Sequence, residues 1–160
     1  MAAPISGLIL ASAARTSSGT ALVSAVAGTG TLNELSVSGY RPKLGRFNRA
    51  LALLNVTAAA TAGGDTLDVY LQKNVGPPSN LVWTDFVHFT QVLGNGGVKQ
   101  HVAEIAGLVT PTAAMHAVQD AALSAGVNQG PWSDDWRIKW VVVGTGTFTF
   151  SIALALWGEE

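Results

Sequence analysis

The chain has 160 residues, 48% of them hydrophobic and only 12% charged, with a formal net charge of -1, 18 glycines and no cysteine. That length suits one domain that buries a core without disulfides or metals, and the missing cysteine excludes thiolate metal sites. The charged share is about half the usual one and there is no dense basic run, which argues against a dedicated nucleic-acid binder and leaves a surface expected to be small, neutral or covered by other chains.

Residues 1–30 alternate small apolar and polar residues, GLILASAAR, then TSSGT, then ALVSAVAGTGT. They are expected to form an extended N-terminal arm with one or two edge strands, paired with a sheet edge or reaching onto a neighbour. The start lacks a basic region, and its apolar run is broken by Ser6, Gly7 and Ser12, so it reads as mature sequence rather than a signal peptide. No stretch approaches the roughly 18 apolar residues of a membrane helix. Neither a membrane nor nucleic acid is an expected partner.

Residues 31–160 are expected to make a single β-sandwich domain. TLNELSVSGY gives a short strand, and the following RPKLGRFNR gathers Arg41, Lys43, Arg46 and Arg49. This basic cluster is either a solvated loop or a contact for an acidic surface on a partner. ALALLNVTAAAT is apolar enough for a central strand, and TLDVYLQKN follows with Leu67, Val69 and Leu71 predicted inward and Asp68, Tyr70 and Gln72 outward. The two are expected to form a hairpin around AGGD. LVWTDFVHFTQVL reads as one strand with a bulge near Thr84-Asp85, where the alternation shifts, and VKQHVAEI reads as another.

TPTAAMHAVQDAALSAG departs from this β pattern. Thr110 stands at an N-cap position, Pro111 at the first helical position and Gly126 at a C-cap, so a short peripheral helix is expected near 111–125. The chain then closes with WRIKWVVVGTGTFTFSIALALW. Trp136, Ile138, Trp140 and Val142 share one face of its first arm, and Phe148, Phe150, Ile152, Leu154 and Leu156 share one face of its second. Gly144-Thr145-Gly146 suits a tight hairpin turn between them. The whole is mainly β, an antiparallel β-sandwich or jelly roll.

Four stretches taken together, LILASAARTSSGT (8–20), LALLNVTAAATAGGDTLDVYLQ (51–72), VWTDFVHFTQV (82–92) and WRIKWVVVGTGTFTFSIALAL (136–156), resemble small virion structural proteins of tailed bacteriophages. Similar "ASAART", "NVTA", "LxVxxQ" and closing "WRVxxxxxG…FxxS" segments recur there in the same order, whereas residues 108–131 match that pattern least. The resemblance implies a capsid decoration (cement) protein bound to the outside of the shell, or a neck or tail component. It implies the major capsid protein or other virion proteins as partners, a homo-oligomer with a trimer among the options, and a place on the capsid surface after assembly in the host cytoplasm. It transfers no catalytic residues.

Candidate chemistry is sparse. His88, His101 and His116 lack metal-pair spacing, and Asp134-Asp135 reads as a turn cap before a cation site. No serine or threonine carries the marker of an activated nucleophile. No enzyme activity, cofactor or metal is expected. The five tryptophans, Trp83, Trp132, Trp136, Trp140 and Trp157, raise the alternative of a glycan-binding module, which needs a row of exposed rings. Trp136 and Trp140 read as packing, and Trp157 as the better exposed contact. Arg41, Lys43, Arg46, Arg49 and Trp157 are thus the partner-contact candidates.

Overall fold

The computed structural model describes residues 5–25, 32–35, 48–60, 62–106, 117–128, 130, 132–133 and 135–157. Eleven strands are present: β1 (Ile5–Arg15), β2 (Gly19–Ala25), β3 (Leu32–Leu35), β4 (Arg49–Ala58), β5 (Thr66–Asn74), β6 (Trp83–His88), β7 (Val92–Leu93), β8 (Lys99–Ala106), β9 (Gly126–Val127), β10 (Trp136–Val143) and β11 (Phe148–Trp157). They form a β-sandwich of two antiparallel sheets. One sheet has the order β1-β11-β4-β8; the other runs β3-β2-β10-β5-β6-β9, with β7 also paired to β5.

Alternation decides which side chains fill the space between the sheets. Phe148, Phe150, Ile152, Leu154 and Leu156 of β11 are fully buried; they lie beside Ala52, Leu54 and Val56 of β4 in their own sheet and share one core with Ile138 and Trp136 of β10 and Leu67, Val69 and Leu71 of β5 from the other. Each large apolar side chain moved there from water contributes about 1.5–3 kcal/mol. The small-residue N-terminal stretch joins this core with its few large side chains: Ile9 and Leu10 of β1 and Val23 of β2 are buried, and residues 5–25 supply one strand to each sheet. Strand β4 lies between β11 and β8, the central position that its apolar character suggested.

Two expected hairpins are corrected. β10 pairs with β2 and β5, whereas β11 pairs with β1 and β4, so the Gly144-Thr145-Gly146 link crosses from one sheet to the other. β4 and β5 are likewise in different sheets. A hairpin and a cross-sheet link leave the same inward and outward alternation on their arms, so periodicity cannot separate them. Asp65, in the β4–β5 link, holds both corners together. Its Oδ1 accepts the Thr145 N–H at 3.1 Å, and its backbone bonds to Ala62 O and to the N–H of Gly94. A Cβ at either Gly144 or Gly146 would strike the Asp65 carboxyl group, and Gly144 also has φ +96°.

The expected bulge in β6 is present. The β5–β6 register shifts between Leu71, opposite Val87, and Gln72, opposite Asp85. Phe86 is therefore the extra residue, and Phe86 and Val87 are both buried.

The expected helix near 111–125 is corrected over its described part. Residues 117–125 contain no helical turn, and Ala121 has φ +57°; residues 111–116 lie outside the described residues. The N–H groups that a helix would use internally go elsewhere. Those of Ala121, Ala122 and Leu123 are donated to the Asp85 carboxylate, and that of Gln119 to Thr84 Oγ1. Weak alanine packing leaves little to favour a helix over three charge-assisted bonds.

Candidate functional site

Two surfaces stand out, one polar and one apolar, on the outer faces of the two sheets. The polar one lies on the larger sheet, where β5 turns Asp68, Tyr70 and Gln72 outward beside Arg137 and Lys139 of β10 and Asp85 and His88 of β6. Although outward, Tyr70 and Gln72 are buried, because the 117–127 segment lies across them as a strap.

Every polar atom of Gln72 is used. Its Nε2 donates to Asp85 Oδ1 at 2.6 Å and to Asp120 Oδ1 at 2.7 Å, while its Oε1 accepts from Arg137 Nε at 2.6 Å. Asp120 on the strap also accepts from Lys139 Nζ at 2.8 Å and Arg137 Nη2 at 3.2 Å. The bond from Lys139 and that from Gln72 hold its carboxyl below the usual carboxylate value. Burial lowers the Arg137 guanidinium, with Asp120 opposing the shift.

His88 sits in the same network. Leu123 O lies 2.7 Å from Nδ1, and since a carbonyl only accepts, Nδ1 carries the hydrogen there; Nε2 lies 3.0 Å from Asp68 Oδ1. The ring stacks on Tyr70 at 4.2 Å. This histidine and carboxylate pair fastens the strap to the sheet and has no serine or threonine hydroxyl bonded to it among the described residues. No group of three His, Cys, Asp or Glu suited to a metal occurs among the described residues. Asp135 is tied to β5: its carbonyl accepts from Ser133 Oγ at 2.8 Å and from the Asn74 N–H at 3.0 Å, and its Oδ2 from Asn74 Nδ2 at 3.4 Å, while Asp134 lies outside the described residues.

The tryptophans are packed rather than displayed in a row. Trp136 is buried against Phe86 and Trp132, with ring centroids 4.6 and 4.9 Å away. Trp140 donates from Nε1 to Ser17 O and lies beneath the Arg15 guanidinium, which also covers Phe150. Arg137 lies 4.8 Å above the Trp83 ring. Trp157 is half-buried at the end of β11.

The apolar surface is the outer face of the smaller sheet, and it receives two of the expected contact residues. Arg49 of β4 and Trp157 of β11 are register partners at one end of this face. Arg41, Lys43 and Arg46 lie outside the described residues. Two steps along the same face from that pair, a row crosses all four strands at one level: Leu8 opposite Ala153, Ala153 opposite Leu53, Leu53 opposite Val102. A second row is Ser6, Ala155, Leu51 and Glu104. Leu8 is 54% exposed, Leu51 41% and Val102 63%. The alanines of β11 leave a shallow groove between the leucines of β1 and β4. At the far end the face turns polar, where Gln100 Nε2 donates to Asn55 Oδ1 at 3.1 Å.

Sequence reasoning named Arg49 and Trp157 on this face but not Leu8, Leu51, Leu53 and Val102. Their signal was present in β4, whose ALALL run is apolar on both faces instead of one. Such a strand asks for cover on its second side, as strands buried on both faces do.

Comparison of the chain with protein-family models and with curated proteins finds no match.

Proposed function

We propose that the protein is a structural component of a tailed-phage virion, a capsid decoration protein that binds the outside of the shell and stabilises it. The observation that carries this is the exposed apolar outer face of the β1-β11-β4-β8 sheet on a chain with only 12% charged residues. An exposed face of that kind marks a surface meant to be covered, and covering a shell needs wide neutral contact rather than chemistry. The four motif stretches point to the same class of protein. The partners are the major capsid protein or other virion proteins together with further copies of the chain, with Arg49 and Trp157 on the face to be covered and Arg41, Lys43 and Arg46 shortly before Arg49 in sequence.

The test is removal of the protein from assembled particles. Shells lacking it are expected to release DNA at lower temperature and to recover when purified protein is added back. Shells as heat-resistant as complete ones would overturn the proposal. Copy number separates decoration from the neck or tail: decoration requires a number comparable to that of the shell subunit.

A further inference from the structure

We infer that the outer face of the β1-β11-β4-β8 sheet is a self-association surface, whose occupant is the same face of a second copy. The inference deepens the assembly role proposed above and rests on it for its biological setting.

The argument is one of symmetry and shape. The four-strand order has its midline between β11 and β4, with β1 and β8 at equal distances outside. A two-fold axis laid along that midline, parallel to the strands and within the plane of contact, sets β4 of each copy over β11 of the other and β1 over β8. Cross-strand rows stay level under this operation.

The consequences follow from the register. Leu53 of each copy sits over Ala153 of the other, and Leu51 over Ala155, so the β4 ridge enters the β11 trough twice. Leu8 meets Val102, which brings together two of the most exposed large apolar side chains of the face. Arg49 meets Trp157, a cation over an aromatic ring. Glu104 meets Ser6, so the operation sets no described charge of the face opposite its like. Aligned sheets rotate by about 30°, which keeps the match closest in the central Leu53 and Ala153 row.

The area suffices. Strands about 4.8 Å apart, with nine residues of β11 paired to β4 at about 3.4 Å each, make a face of roughly 600 Å² in projection. Two such faces remove on the order of 1,200 Å², the lower end of the range for stable specific interfaces. An isologous contact of this kind closes at two copies and leaves the polar outer face of the larger sheet free for other partners.

Cysteine cross-linking tests the arrangement directly, because the chain has no cysteine of its own. In the double variant Leu8→Cys, Val102→Cys the two positions lie three strand spacings apart within one copy, about 14 Å. That exceeds the roughly 7 Å a disulfide can span, so any bond must join two copies. Mild oxidation is expected to give a covalent species of twice the 16.5 kDa chain mass, while the single variants remain mostly monomeric under denaturation. Native mass spectrometry of the unmodified chain is expected to show the dimer, and Ala153→Arg, which fills the trough, to reduce it at least tenfold. Circular dichroism and melting of Ala153→Arg check that the fold is retained; if they fail, Leu51→Glu on the exposed ridge replaces it.

A chain that stays monomeric at about 100 µM, above the micromolar dissociation constants expected of such an interface, would overturn the inference. So would an oligomer that neither cross-links through these positions nor responds to either substitution, since another surface would then hold it. A failed dimer with intact shell stabilisation removes this interface alone, and a dimer without shell stabilisation removes the decoration role alone.

Discussion

The carboxylate of Asp85 accepts a 2.9 Å hydrogen bond from the backbone N–H of Ala122, thirty-seven residues further along the chain. With the N–H groups of Ala121 and Leu123 and the amide of Gln72 on the same carboxylate, one 1%-exposed side chain anchors the strap to the larger sheet. Burying a carboxylate is costly unless its oxygens are filled, and here they are filled by four donors.

Removing that anchor is therefore expected to loosen the strap before it unfolds the sandwich. Asp85→Ala takes an acceptor from the buried Gln72 amide and from three part-buried backbone N–H groups and should cost about 2–4 kcal/mol. Hydrogen exchange read by peptide mass is expected to speed up over residues 119–125, with β4 and β11 unchanged. Uniform acceleration across both sheets would show that the strap is not a separate unit.

Tyr70 sets a pH dependence on the alkaline side. Burial first, and then the nearby Asp68 and Asp85 carboxylates, push its phenol from 10.0 up to about 12. Between these values the unfolded chain gives up the proton and the folded chain keeps it. The stabilisation is complete below pH 10 and is lost as pH rises toward 12, by about 2 kcal/mol. Denaturant titrations at pH 9 and pH 11 should show about half of this loss in the native chain and a smaller one in Tyr70→Phe.

Asp120 acts on the acid side with the opposite sign. Its lowered value means that its contribution is present above the ordinary 3.8 and disappears as pH falls through the folded value below that. Because the side chain is 53% exposed, solvent screens the gain, and Asp120→Asn is expected to cost about 0.5 kcal/mol at pH 7. The difference between the two proteins should shrink as melts are taken from pH 7 into the acid range below 3.8.

The two glycines at the sheet crossing are expected to resist even the smallest side chain. Gly146→Ala places a methyl against the Asp65 carboxyl group, and Gly144→Ala adds a strained φ to the same clash. Each should lower stability by about 1–3 kcal/mol. Trimming Asp65 to alanine first should shrink the penalty at Gly146 in a double-mutant cycle without abolishing it, since the carboxyl group would be gone while the Ala60 methyl, which the added Cβ would also strike, remains.

Individual strands were legible because period-two alternation is a local property. Phe148 to Leu156 face inward as their spacing predicts, and the β6 bulge falls one residue from the expected position. The helix near 111–125 misled because Ala-rich sequence has good local propensity, while the groups that capture its backbone, Asp85 and Thr84, lie some 35 residues away. The outward residues of β5 misled for the same reason. Nothing local announces that Gln72 and Tyr70 will be covered by a segment that arrives only after β6, β7 and β8.

The amino-acid sequence by itself determined a mainly β chain, the inward face of its principal strands, and a composition poor in charge. Those follow from side-chain period and composition, which need no knowledge of neighbours. Only the tertiary structure decided which strands pair, that Asp65 ties two sheet crossings together, and that Leu8, Ala153, Leu53 and Val102 share one level of one face. Pairing is chosen by global fit among strands whose alternation is alike, and a surface made of four distant segments exists only after that choice.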